Sequence, residues 1–184
     1  DRIAMESMGH KISYRQLDLL SKDFAAYLQT LGLDTGARIA IMFPNVPQYL
    51  ISMLGTLRAG FAVVNINPLY TARELEGQIG DSGASVLVLM ENFAATYEQV
   101  HFAPSIEQVI VSSPGELLGL KGYLINWVAR NIKKMIPAWS FPHVNYKDAL
   151  QIGGSRVFQK PMIGPDDIAF LQYTGGTTGV SKGA

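Results

Sequence analysis

Apolar side chains recur every three or four positions over residues 14–31, at Leu17, Leu20, Phe24, Tyr27, Leu28 and Leu31. That period predicts an amphipathic helix. Ser13 stands where it caps the helix and Gly32 where it stops it. Residues 37–43 read as a strand closed by Pro44. Pro47 suits the first turn of a second helix, which runs through Tyr49, Leu50, Met53, Leu54 and Leu57 to Gly60. Residues 61–66 predict another strand, and Asn67-Pro68 turns the chain out of it. Thr71-Ala-Arg-Glu74 is a capping box, so a helix is expected over 72–81, breaking at Gly83. Residues 85–90 form a third strand, 93–102 a helix and 108–112 a fourth strand.

Strands that are apolar almost throughout, alternating with helices, predict an α/β fold. It has a mostly parallel sheet, helices on both faces and right-handed crossovers. At 184 residues with 48% hydrophobic content the chain can bury one substantial core, so one domain is expected. The interval between Pro114 and Pro165 departs from the alternation. It is read as one long helix over 116–136, then a loop containing Pro137, Pro142 and Gly153-Gly154.

That helix would carry Leu117, Leu120, Leu124, Trp127, Val128 and Met135 on one face, with Arg130, Lys133 and Lys134 toward the other side near its end. A basic amphipathic helix of this kind can lie in a membrane interface. The same stripe can instead pack on its own domain while the cations complement the helix C-terminus, and that is the expectation. Gly119 and Gly122 weaken its first turn. Asn126, Arg130, Asn131, Lys133 and Lys134 argue against a membrane span.

Charge and residue usage narrow the chemistry. The 15 basic and 15 acidic residues cancel, which argues against nucleic acid as a partner. The absence of cysteine removes disulfides, thiolate metal sites and a cysteine nucleophile. His10, His101 and His143 have no ligand spacing and are read as surface or loop residues. The chain starts at Asp1 with no cleavable leader, and is therefore expected to be a piece of a cytosolic protein.

The last residues concentrate the candidate chemistry. A strand-length apolar run, 167–173, leads into Tyr173, Thr174, Gly175, Gly176, Thr177, Thr178, Gly179, Val180, Ser181, Lys182, Gly183 and Ala184. Glycines let a backbone approach an anion, threonines add hydroxyl donors and the lysine adds charge, so these residues are candidates for a nucleotide-phosphate loop. A Walker A loop would need glycine before Lys182 and Ser or Thr after it. Ser181 and Gly183 stand there instead.

The segment closely resembles the signature of adenylate-forming enzymes, roughly Y-T-S-G-T-T-G-x-P-K-G, found in acyl-CoA synthetases, luciferases and peptide-synthetase adenylation domains. It departs at Gly175, where the signature has serine, and at Ser181, where it has proline. Residues 65–75 and 81–84, Phe170-Leu-Gln-Tyr-Thr174 and the basic helix extend the likeness, which is greatest to bacterial long-chain fatty acid–CoA ligases.

The resemblance implies that the chain is the first part of the large N-terminal domain of such an enzyme, ending at its phosphate loop. The implied substrates are ATP, a fatty acid and coenzyme A, with Mg2+ as cofactor. A carboxylate attacks the α-phosphorus to give acyl-AMP and pyrophosphate, and coenzyme A then displaces AMP. Thr174, Thr177 and Thr178 would contact the β- and γ-phosphates, Thr174 also meeting the magnesium. Gly175, Gly176 and Gly179 would supply N–H groups and Lys182 a neutralising charge. No catalytic residue is assigned to residues 1–184, because the adenine, acyl and coenzyme A sites and the C-terminal domain follow the loop in this family. The chain alone is thus expected to be inactive. Asn67, Tyr70 and Glu74 are read as a turn, a docking aromatic and a cap.

The setting implied is cytoplasmic; peripheral membrane contact through 116–136 stays open as the alternative to core packing, and an oligomer is compatible with it. Three other readings stay open: an aryl- or amino-acid-activating relative, a P-loop NTPase, and a non-catalytic membrane-docking module.

Overall fold

The computed structural model describes residues 2–133, 135–174 and 182–183. It opens with a hairpin of β1 (Ile3–Ser7) and β2 (His10–Ser13), turned by Met8 and Gly9 at φ 51° and 74°. Sequence reading missed this hairpin, because its strands are short and carry no sustained alternation.

Helix α1 (Tyr14–Gln29) starts at a full capping box. The Gln16 N–H donates to Ser13 Oγ at 3.2 Å, and the Ser13 N–H donates to Gln16 Oε1 at 2.9 Å. Then follow β3 (Arg38–Met42), α2 (Pro47–Arg58), β4 (Ala62–Asn65), α3 (Ala72–Ser82) and β5 (Val86–Met90). Pro47 occupies the first turn of α2, and Thr71 and Glu74 cap α3 reciprocally. Gly83 closes α3 in the left-handed region at φ 59°. All three follow from the sequence pattern.

After β5 the expected helix over 93–102 is reduced to a 3-10 turn (Glu91–Phe93) and α4 (Ala94–Glu98), and β6 (Gln108–Ser112) follows. The long helix expected over 116–136 is also shorter. α5 (Leu120–Trp127) begins after Gly119, whose φ of 58° is no helical value, and loosens into a π turn (Val128–Ile132).

The stretch expected to be loop then supplies β7 (Val144–Asn145) and α6 (Tyr146–Gly154). Of the Gly153-Gly154 pair expected in that loop, Gly153 is a packing device: a Cβ there would lie 1.8 Å from the Asp23 carbonyl oxygen of α1. The strand expected over 167–173 is two short pieces, β8 (Phe170–Leu171) and β9 (Tyr173–Thr174), the second paired with β10 (Lys182–Gly183). Ile168 and Phe170 are exposed, so the apolar run is less buried in this chain than its composition suggests.

The main sheet is six parallel strands in the order β7-β6-β5-β3-β4-β8. Its strands are apolar on both sides because each side is covered. Ile39, Ile41, Val63, Val86, Val88 and Ile110 join one core with α1, α2 and α6. Ala40, Met42, Val64, Leu87, Leu89 and Val111 join another with Leu75 and Ile79 of α3 and Ala94 of α4. Tyr146 sits fully buried in the first core, stacked on Phe24 at 5.2 Å, and its oxygen accepts from Ser52 Oγ at 3.0 Å.

From β3 the chain crosses to β4 on one side, and from β5 to β6 on the other. A topological switch point therefore lies between β3 and β5. In open α/β sheets the carboxyl ends of such strands are where ligands collect.

Candidate functional site

β8 hydrogen-bonds to β4 at the end of the sheet, and the chain after it leaves from the same carboxyl edge as the other strands. Thr174 pairs with Lys182 and Tyr173 with Gly183 in an antiparallel stem. The stem brings together the backbone on either side of residues 175–181. Gly175, Gly176, Thr177, Thr178, Gly179, Val180, Ser181 and Ala184 lie outside the described residues, as does Lys134 of the basic cluster.

The approach to the loop is held by side chains that sequence reading did not assign to the site. The Tyr173 hydroxyl donates to Asp81 Oδ2 at 2.5 Å. Partial burial, that hydrogen bond and the Asp81 charge push the phenol up to about 12. Beside it, Asn65 Nδ2 donates to Gln172 Oε1 at 2.9 Å, while Asn65 Oδ1 accepts from the Tyr49 hydroxyl at 3.0 Å. Gln78 Nε2 donates to the Asn65 carbonyl at 2.8 Å. Elements α2, β4 and α3 thus converge on the two residues before the loop. The ring of Tyr173 also packs on Gly183, where a Cβ would stand 3.0 Å from the ring. Asn65 at a strand end and Asp81 at a helix end carry no sequence signal of their own, since their role depends on strand order.

Asn67, Tyr70 and Glu74 have local structural partners. Asn67 Oδ1 accepts from the Leu69 N–H at 3.0 Å, Tyr70 packs on the second core, and Glu74 caps α3, which holds its carboxyl below the usual range. Among the described residues no group of three or more His, Asp or Glu side chains is placed to hold a metal. Nδ1 of His143 bonds to the Phe141 carbonyl at 3.0 Å.

The segment 116–136 departs from expectation in two ways. Its apolar residues do not form a buried, core-facing stripe: Leu120 is 88% exposed, and Tyr123, Leu124, Trp127 and Met135 are also exposed. Leu117 alone of the stripe packs on the first core. Arg130 is not part of a free basic face either. It forms a two-pronged ion pair with Glu91, 3.0 Å from Nε to Oε1 and 2.8 Å from Nη2 to Oε2. Gly122 explains the helix's position, because a Cβ there would lie 1.8 Å from the Gly115 carbonyl oxygen. Glu116 fastens the start of the segment, accepting from Ser112 Oγ at 2.6 Å, the Ser113 N–H at 3.2 Å and the Lys147 N–H at 3.1 Å. Burial nonetheless raises its carboxyl above the usual range. No helix among the described residues is long and apolar enough to cross a membrane.

The chain is 48% identical over 187 aligned positions to a long-chain-fatty-acid–CoA ligase of Escherichia coli O157:H7, all of this chain matching 33% of that protein. It is 48% identical to the ligase of the same name from Haemophilus influenzae and 32% to that of Bacillus subtilis, again over 100% of this chain and 33% of each relative. The chain thus spans about a third of the length of these curated relatives.

Among solved structures, ATP-bound MatB from Rhodopseudomonas palustris matches at 28% identity with a TM-score of 0.75, over 100% of this chain and 31% of that one. An anthranilate–CoA ligase in complex with anthranoyl-AMP matches in fold alone, with a TM-score of 0.79 at 19% identity, over 100% of this chain and 31% of its own. The sequence pattern of the AMP-binding enzymes covers residues 1–184, and the chain belongs to the AMP-binding enzyme family.

Proposed function

We propose that the protein to which these residues belong is a long-chain fatty acid–CoA ligase, and that residues 173–184 form its site for the ATP phosphates. The observation that carries this reading is the stem of Tyr173–Thr174 and Lys182–Gly183, which pairs the backbone on either side of the glycine- and threonine-rich sequence 175–181. The 48% identity to bacterial ligases of that name supports the choice of acid.

The first half-reaction asks for stabilisation of a departing pyrophosphate more than for a protein nucleophile. N–H groups of Gly175, Gly176 and Gly179, hydroxyls of Thr174, Thr177 and Thr178, and the Lys182 ammonium are the donors this loop offers. A magnesium ion bound with ATP would neutralise phosphate charge, and Thr174 is the residue assigned to meet it. The donor set fits: the threonine hydroxyl oxygens suit a hard cation, the N–H groups suit the phosphates it accompanies, and the segment is free of soft ligands. Tyr173, Asp81, Asn65 and Gln172 would hold the base of the loop in register. The chain represents one part of an N-terminal domain, with the adenine, acyl and coenzyme A contacts supplied by later residues.

Its setting is the cytoplasm, with peripheral membrane contact through 116–136. The exposed Leu120, Tyr123, Leu124 and Trp127, accompanied by Lys121 and Lys133, support that contact. The test is carboxylic-acid-dependent ATP–pyrophosphate exchange by the full-length protein over fatty, aryl and amino acids, with the 184-residue chain as a control expected to be silent. Exchange driven by long fatty acids supports the reading. Exchange driven only by another acid class, or none with any acid, overturns it.

A further inference from the structure

Between α5 with its π turn and the carboxyl ends of β3, β5 and β6 lies a cavity of about 630 Å3. Pro44 just past β3, Met90 at the end of β5 and Pro114 just past β6 line its inner side, so it opens at the switch point of the sheet. Leu117, Leu124 and Val128 line its outer side. Its size is that of a small-molecule site rather than a packing defect. A nucleotide is excluded by the chemistry of the walls, which offer no array of donors for phosphates.

Four polar side chains line it: Ser7, Gln48, Asn92 and Lys133. Asn92 Nδ2 donates to the Met135 carbonyl at 3.3 Å, while Asn92 Oδ1 is buried without a partner among the described residues. Lys133, two residues from Met135, also lines the cavity, and has no acidic partner among the described residues. An apolar slot whose lining carries one ammonium, Lys133, matches a single hydrocarbon chain that ends in an anion.

We propose that this cavity is a binding site for one long-chain fatty acid, separate from the phosphate loop, with the chain between α5 and the sheet edge and the carboxylate on Lys133. The choice of a fatty acid rests on the ligase reading above. The presence of a site for a single-chain amphiphile rests on the cavity itself. The exposed Leu124 at its wall makes it a capture site that an acid could enter from an interface before any ATP is bound.

The test uses the full-length protein without ATP and a long-chain fatty acid carrying a diazirine near its methyl end. After irradiation, labelled peptides are located by mass spectrometry. Saturable label on the peptide spanning 114–135, displaced by unlabelled hexadecanoic acid, is the expected result. Lys133→Gln should raise the half-saturating concentration about fivefold for the acid, the scale of one exposed charge pair, and leave that of the methyl ester unchanged. Val128→Trp, at a half-buried position, should remove the label from this peptide. Circular dichroism and ATP–pyrophosphate exchange at saturating acid should match wild type in both variants. Label confined to residues after 184, or label on 114–135 that neither variant alters, overturns the proposal even where fatty-acid-driven exchange is intact. Wild-type label on 114–135 without such exchange supports the site and removes the ligase reading instead.

Discussion

The Tyr173 hydroxyl donates to Asp81 Oδ2 across 2.5 Å, tying the residue that opens the phosphate loop to the last turn of α3. Removing only that hydroxyl, with Tyr173→Phe in the full-length protein, should loosen the loop's stem and leave the sheet intact. One hydrogen bond to a charged group is worth about 1.5–3 kcal/mol, and exposure lowers that figure. The apparent KM for ATP should therefore rise about three- to tenfold, the equivalent of about 0.7–1.4 kcal/mol, with kcat nearly unchanged. Steady-state exchange kinetics over a range of ATP concentrations check this, and an unchanged KM would remove Tyr173 from the site.

The same bond sets an alkaline dependence. In the fold the phenol titrates at about 12, above the ordinary 10.0. A group raised in this way contributes stability that is complete below pH 10 and is lost as pH climbs through the folded value. Burial also raises Tyr146, so wild type and Tyr173→Phe should both lose stability in alkali. The variant should lose less across pH 10–12. Thermal midpoints of both proteins between pH 8 and pH 12 make the comparison, and parallel curves would count against the Tyr173–Asp81 coupling.

Gly153→Ala should be far more damaging than Gly154→Ala, although the two glycines are adjacent. A Cβ at Gly153 meets the Asp23 carbonyl oxygen at 1.8 Å, so α1 and α6 must separate, at a cost of about 1–3 kcal/mol or more. At Gly154 the nearest atom is the Asp23 carboxylate at 3.4 Å, and alanine's helix propensity offsets the contact. Urea unfolding of the full-length variants should show a clear midpoint drop for the first and a change within about 0.5 kcal/mol for the second.

This pair also shows where sequence reading stops. The β3-α2-β4-α3-β5 core was legible because its strands are apolar on both faces and its helices carry their caps. Those signals are local, and the structure repeats them at Ser13, Pro47, Thr71 and Gly83. Helix α6 was hidden because Gly153 reads as a loop residue until α1 is placed against it. The hairpin before α1 is too short for periodicity to register. At the site, the loop residues from Tyr173 to Ala184 were named from composition and motif. Asp81, Asn65, Tyr49 and Gln78 were not assigned to it, because they reach the loop's base only once β4 lies beside β8. The segment 116–136 misled in the opposite sense: helical spacing was present, but Gly119 starts the helix late and most of the apolar residues are exposed.

Arg130→Met should release the turn after α5 from the sheet edge. The Glu91 side chain is only 10% exposed and would keep a carboxylate with its charge partner gone, whereas Arg130 is half exposed. The cost lies between that of a surface pair and a buried one, about 1–3 kcal/mol. Glu91→Gln should cost less, since its amide still accepts one bond, and the double variant should recover part of the loss of Arg130→Met. Amide hydrogen exchange should show 128–133 opening in Arg130→Met and the core strand β5 unchanged. Equal protection in wild type and variant would show the ion pair to be incidental.

The loop itself gives the sharpest discrimination among reactions. Thr174 and Lys182 are register partners in the stem, so they stand at the two sides of the loop's mouth. If the loop stabilises departing pyrophosphate, Lys182→Ala and Thr174→Ala should each slow acyl-adenylate formation by more than about tenfold, or about 1.4 kcal/mol of transition-state stabilisation. The double variant should be less impaired than the product of the two, because groups that stabilise one leaving group act as a unit. The readout is fatty-acid-dependent exchange of labelled pyrophosphate into ATP, run beside phosphate release without acid. Wild-type exchange in both single variants would remove these residues from the site. Acid-independent phosphate release that falls with the same substitutions would make the loop a hydrolytic one and leave the ligase reading without its central step.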